Sequence, residues 1–178
     1  MSQVIILTGP PGAGKSTIAR LLADAVSPSV HLHTDDFYAY IRNGAILPYL
    51  PEAQQQNEVV TDVLAQAAAG YARGGYEVFC DGVVGPWFLD PFRAAAEQHG
   101  VPLHYVVLRP DEATTVHRAS GRGTDELTDP EPVRAMHRQF ADLGELEHHA
   151  VDSTGLGAEA TATAVRDVIA KGSHLLKP

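Results

Sequence analysis

The chain of 178 residues predicts an α/β fold: a three-layer sandwich with a five-stranded parallel sheet and helices on both faces. Three observations predict it. Five short apolar runs recur along the chain, and segments with helical spacing separate them. Two of these runs lead into carboxylates and a third into glycine, as expected of parallel strands whose carboxyl ends converge on one crevice. No fixed-period repeat or low-complexity tract interrupts the alternation.

The elements follow in order. Val4-Ile5-Ile6-Leu7 is apolar and β-branched, suited to a strand buried on both faces, and Ile18 to Ala23 continues at helical spacing. Val30 to Thr34 reads as a second strand ending at Asp35-Asp36. Residues 37–50 mix aromatics with Gly44 and Pro48 and read as a short helix and a loop; Glu52 to Ala72, with Val59, Val60, Val63 and Leu64 in phase, reads as a long helix. Gly74-Gly75 ends it, and Tyr76 to Cys80 is a third strand running into Asp81-Gly82. Residues 86–100 suggest a helix returning over the sheet, and Leu103 to Leu108 is strand four. Pro110 with Asp111-Glu112 opens a helix to about Ala119, since proline and acids suit a first turn. Asp129-Pro130 restarts a helix through about Leu143, His149 to Asp152 is a short fifth strand, and a last helix ends near Ala170. One domain over residues 1–170 is expected, with a lid at about 118–130. Residues 171–178 have little pattern and read as a frayed or non-native tail.

Composition narrows the function. A net charge of -9 disfavours a duplex or long-polymer nucleic-acid binder, which would neutralise phosphates with basic patches. Cys80 is the single cysteine, so no intrachain disulfide forms. The chain opens without a basic and apolar leader and holds no long apolar span, so a cytoplasmic protein away from membranes is expected, its oligomeric state open.

Gly9-Pro10-Pro11-Gly12-Ala13-Gly14-Lys15-Ser16-Thr17 fits the phosphate-loop pattern G-x-x-x-x-G-K-[ST] at every fixed position, between a strand and a helix as that motif requires. The glycines let the backbone turn its N–H groups inward, Lys15 reaches the β- and γ-phosphates, and the Ser16 hydroxyl can ligate Mg²⁺. The fold is therefore expected to be that of the P-loop NTPases, with ATP and Mg²⁺ bound. Asp81, after an apolar strand, is placed as a carboxylate that holds Mg²⁺ directly or through water. Asp35 stands where an acceptor hydroxyl could approach the γ-phosphate and accept its proton; capping the next helix is the alternative. Asp36 is assigned to capping or to the metal's water shell. Either Asp35 or Asp81 could dominate at the metal.

Arg118 and Arg122 flank a glycine-bearing segment able to close over the phosphates and stabilise the moving phosphoryl. Acceptor recognition falls to Tyr38, Arg42, Gln55 and Trp87 together with Asp35 and Asp81, on segments that follow strands two and three. His31 and His33 alternate on one strand face without partners spaced for a closed metal site, and are read as structural or solvated.

With the glycine loop, Asp35, Asp81-Gly82 and the arginine-bearing lid in place, the chain resembles a small P-loop kinase over nearly its whole length. It is most similar to the chloramphenicol phosphotransferase-like branch, and more distantly to shikimate and gluconate kinases. The resemblance implies a five-stranded parallel sheet with a lid, Asp35 as base toward a substrate hydroxyl, and a loop after strand five (Asp152, Ser153, Thr154) packed against adenine. Residues 48–57 have no counterpart in the chloramphenicol-type enzymes, so that acceptor is not carried over. The expected activity is transfer of the γ-phosphoryl of ATP to a hydroxyl of a small molecule. The alternatives are a polynucleotide or nucleoside kinase, and a P-loop ATPase or nucleotide-sensing module with no acceptor.

Overall fold

The computed structural model describes residues 2–121 and 129–177. Strands β1 (Val4–Thr8), β2 (Ser29–His33), β3 (Glu77–Asp81), β4 (Leu103–Leu108) and β5 (Ala150–Val151) form one sheet in the order β2-β3-β1-β4-β5, every pair parallel. Helices α1 (Lys15–Asp24), α2 (Thr34–Ala39), α3 (Gln54–Arg73), α4 (Asp90–His99), α5 (Glu112–Ser120), α6 (Pro130–Gln139) and α7 (Ala158–Ala170) connect and cover it. The chain leaves β1 for the β2 edge, returns to insert β3, and crosses to β4. Its direction of winding thus reverses beside β1, where open parallel sheets place ligands.

Alternation along the strands builds two cores. Val4, Ile6, Val78, Cys80, Tyr105 and Val107 face α3 and α4, whereas Ile5, Leu7, Phe79, Val106 and Leu108 face α1 and α7. The α3 stripe Ala65, Ala68, Ala69 and Ala72 is buried, and its small side chains let that helix lie close against β3 and α4. Cys80 is fully enclosed, and burial pushes its thiol up, away from thiolate chemistry.

Two boundaries differ from the sequence expectation. Helix α2 begins at Thr34 rather than after the carboxylates, because the Thr34 hydroxyl donates to the Asp81 carbonyl at 2.7 Å and turns the chain at the strand end. Helix α6 stops at Gln139, short of Leu143. There the Asp142 carboxylate accepts from the Gly144 N–H at 2.8 Å and Gly144 adopts φ 58°, a local turn that outcompetes another helical turn.

The expected frayed tail is instead docked. Strand β5 pairs with β4 only at Val107 and Leu108, so the Leu103–Tyr105 edge would be left bare. The tail covers it antiparallel: Tyr105 N donates to His174 O at 2.9 Å, Leu176 N donates to Leu103 O at 2.8 Å, and Leu176 joins the core.

Candidate active site

The glycine loop joins β1 to α1. Gly9, Gly12 and Gly14 all have positive φ, at 135°, 88° and 93°. At two of them space is as decisive as conformation. A Cβ on Gly9 would lie 2.1 Å from Leu108 O, and one on Gly12 would lie 2.3 Å from Thr115 O. The loop is thus clamped against the end of β4 and the body of α5, with Pro11 and Ala13 buried beneath it. Lys15 begins α1, is nearly buried, and donates from Nζ to Pro10 O at 3.1 Å. No acidic residue occupies the first turn of α1, so the positive end of its dipole faces the cradle unopposed. Thr17, at the third position of the helix, is exposed beside it. Backbone N–H groups, a lysine and room that only glycine leaves open fit a polyphosphate.

Below the loop lies Asp81, whose side chain is fully buried. Ser16 Oγ donates to its Oδ2 at 2.5 Å, His31 Nε2 lies 2.5 Å from Oδ1, and His33 Nδ1 lies 3.0 and 3.1 Å from the two oxygens. Burial alone would raise the Asp81 pKa. The hydrogen bonds from His31, His33 and Ser16 outweigh burial and hold the carboxyl below its usual range. An ionised carboxylate against a serine hydroxyl offers two hard oxygens, a donor set that fits Mg²⁺. Gly82 is required here, since a Cβ on it would meet Thr34 Oγ1 at 2.0 Å.

His33 also turns toward Asp35, with Nε2 3.4 Å from Oδ2. Hydrogen bonds to Asp35 and Asp81 raise its pKa to about 10, and the same contact with His33 lowers that of Asp35. An imidazolium thus stands between two carboxylates. Asp35 does not cap α2: the N-cap position is His33, and Asp35 and Asp36 sit exposed in the first turn, where the dipole favours acids. The two histidines were not legible as site residues from spacing alone. Their signal was the i, i+2 alternation combined with the β2–β3 register, which pairs His33 with Asp81.

A cavity of about 860 Å³ is lined by Gly14, Lys15 and Ser16 of the loop, by Asp35 and Tyr38, and by Tyr49, Leu50, Trp87, Phe88 and Met136. Tyr38 and Trp87, both expected here, line it. Tyr38 donates to Asn57 Oδ1 at 3.1 Å, and Asn57 Nδ2 donates to Pro48 O at 2.8 Å. Burial, with Asp35 nearby, pushes the Tyr38 hydroxyl to about 12, so it remains a neutral donor.

Other expected residues fall elsewhere. Gln55 lines a separate groove outside α2 and α3 with Val59 and Val63, because on a helix it shares a face with positions four and eight further on, not with Gln54 and Asn57. Arg42 is exposed beyond α2 and lines neither cavity. Arg118 is turned to the loop after β5, where Nη2 donates to Leu156 O at 3.2 Å. Ser153 is buried in that loop with its Oγ unpartnered. Arg122 and most of the expected lid lie outside the described residues.

Comparison with known proteins agrees with this fold. The profile of a family described as "AAA domain" matches residues 4–143. The tunicamycin resistance protein of Deinococcus radiodurans superposes with a TM-score of 0.70 at 17% identity, covering 100% of both chains. A gluconokinase from Sinorhizobium meliloti gives 0.66 at 18%, covering 97% of this chain and 98% of that one. The shikimate kinase of Acinetobacter baumannii, solved with shikimate, gives 0.63 at 19%, covering 97% and 95%. No curated protein sequence matches. Among the described residues, no helix is long and apolar enough to cross a membrane.

Proposed function

Because the chain belongs to the AAA domain family and has the fold of the P-loop kinases, we propose that it is an ATP- and Mg²⁺-dependent phosphotransferase that moves the γ-phosphoryl to a hydroxyl of a small molecule. One observation carries the reading. The glycine loop, Asp35 and the aromatic side chains of Tyr38, Tyr49, Trp87 and Phe88 line one cavity, so a donor phosphate and an acceptor can share it.

In this reading the loop amides from Gly9 to Thr17 and the Lys15 ammonium hold the β- and γ-phosphates. Ser16 and Asp81 hold Mg²⁺, which supplies charge neutralisation on the phosphate oxygens when bound. His31 and His33 keep the Asp81 carboxylate ionised and fixed in direction. Asp35 orients the acceptor hydroxyl and takes its proton. A carboxylate held ionised by His33 is a weak base, which suffices because phosphoryl transfer through a loose transition state demands little deprotonation before the leaving bond stretches. Arg118, bonded to Leu156 O, and Ser153 stand at the loop on the adenine side, and Arg122, outside the described residues, keeps its expected role of bringing positive charge to the moving phosphoryl. Residues 1–170 act as one unit with its lid at about 118–130, in the cytoplasm.

Calorimetric titration with a non-hydrolysable ATP analogue, with and without Mg²⁺, tests the first half; an absence of heat sinks the nucleotide claim. A screen of ADP release across sugars, nucleosides, shikimate-like acids, antibiotics and 5′-hydroxyl oligonucleotides tests the second. Release independent of every acceptor would replace transfer by hydrolysis.

A further inference from the structure

The aromatic wall of the cavity has a chemical character of its own. Trp87 is half exposed on its wall. Its indole lies over Gly85, where a Cβ would come within 2.3 Å of the ring, and is braced by Phe140 and Phe88 at centroid distances of 5.9 and 6.4 Å. A flat apolar platform is therefore held in place before any ligand arrives. Tyr49 and Leu50 stand exposed on the same cavity, and Met136 completes an adaptable apolar side.

Of the amides that line the cavity, Gln139 is exposed, Gln54 donates to Glu58, and Asn57 is fully committed. Asn57 spends its oxygen on Tyr38 and its nitrogen on Pro48 O. The cavity is also lined by Asp35, an exposed carboxylate with one oxygen 3.4 Å from the His33 ring. The nitrogen bases among the described lining residues are Lys15, which lies in the phosphate cradle, and His33, whose ring is engaged by Asp35 and Asp81. An acceptor carboxylate or phosphate placed on the platform would meet apolar neighbours in a cavity that also holds the Asp35 carboxylate, which costs desolvation without return.

We propose that the acceptor is an uncharged alcohol with a flat apolar face, which stacks on Trp87 while its hydroxyl edge meets Asp35. The inference rests on the phosphotransferase reading for the word acceptor, and it deepens that reading by separating this site from one built for an acid such as shikimate. Stacking on a preformed indole gives affinity, and the direction of the hydroxyl edge gives selectivity.

Trp87 is the single tryptophan, so its fluorescence reports on this cavity without turnover. Two probe pairs differ by one charge each: phenyl β-glucoside against phenyl β-glucuronide, and methyl shikimate against shikimate. A fifth probe, methyl β-glucoside, lacks the aromatic face. Each is titrated into the full chain with the non-hydrolysable ATP analogue and Mg²⁺ present. The neutral member of each pair is expected to change the emission with a Kd about ten-fold or more below its anionic partner, and phenyl glucoside to bind about ten-fold more tightly than methyl glucoside. By calorimetry, Trp87→Ala should lose that ten-fold preference for the phenyl compound, whereas Trp87→Phe should keep most of it.

Anionic members that bind as well as their neutral partners would overturn the charge claim. Equal binding of phenyl and methyl glucoside would overturn the platform, and no response to any neutral probe up to about 10 mM would overturn the class. If the ATP analogue gives no heat while the neutral preference survives, the phosphotransferase reading fails alone.

Discussion

Acidification should loosen the C-terminal segment, and His174 allows the size of the effect to be worked out. Its ring is buried, with Nε2 unpartnered and Nδ1 3.0 Å from Ser173 Oγ. It stands edge-on to His149 at 5.4 Å, with His148 and His104 close enough to add repulsion and Arg93 facing the same cluster from α4. Burial, then repulsion from His149, His148 and His104, lowers its pKa from 6.5 to about 4. A histidine depressed in the fold takes up its proton more readily when unfolded. Its contribution is therefore complete above about pH 6.5 and is lost as pH falls toward 4.

At about pH 5 the loss from His174 alone comes to about 2 kcal/mol, which for a chain of this size lowers Tm by roughly 4–8 °C. His104 and His149 are depressed by burial in the same direction and add to it. The assay is thermal unfolding followed by circular dichroism at about pH 7.5 and about pH 5 for the native chain and for His174→Leu. The variant should show a fall in Tm smaller by several degrees, because its residue cannot charge. Equal falls in the two proteins would refute the reasoning.

Four further outcomes follow from the site. Gly9→Ala and Gly12→Ala force a Cβ into Leu108 O and Thr115 O, so each should cost about 3 kcal/mol or more of stability, read from denaturant unfolding, and abolish analogue binding. Asp81→Asn removes the carboxylate that Ser16, His31 and His33 share; the Mg²⁺-dependent part of analogue affinity should fall at least about ten-fold by calorimetry, with the Mg²⁺-independent part retained. Asp35→Asn should reduce transfer to a confirmed acceptor by about 10²–10⁴-fold while analogue affinity changes less than about two-fold; full transfer activity in that variant would remove Asp35 from the chemistry. Tyr38→Phe leaves Asn57 Oδ1 without its donor and should destabilise the chain by about 1–2 kcal/mol in the same unfolding assay.

The fold was legible because strand and helix signals here agree with their tertiary roles. Ile5 and Ile6 face opposite cores and are both fully buried, so an unbroken apolar run was a reliable mark of a central parallel strand. Boundaries failed where side chains intervened from a distance. Thr34 begins a helix because of a carbonyl 47 residues away, and no local propensity encodes that. The docked tail was hidden for the same reason: Lys171 to Pro178 carries no period, and its value lies in the bare edge of β4, visible only once β5 proves to be two residues long.

The site divides along the same line. Residues whose chemistry is written into contiguous sequence, from Gly9 to Thr17, could be assigned from the motif because a loop's own spacing fixes where its amides point. Residues that act through register could not. His31 and His33 show two histidines with no closed-site partner, and only the parallel pairing of β2 with β3 brings Asp81 beneath both. Once there, they change what the carboxylates can do. Without them, burial would push Asp81 toward its protonated form, which would make a poor partner for a cation; with them it stays charged in a fully enclosed position. The same imidazolium that secures Asp81 reaches Asp35, so the group proposed to hold the metal and the group proposed to orient the acceptor share one support. A substitution at His33 should therefore disturb both, whereas one at His31, whose contact is with Asp81 Oδ1, should disturb the first alone.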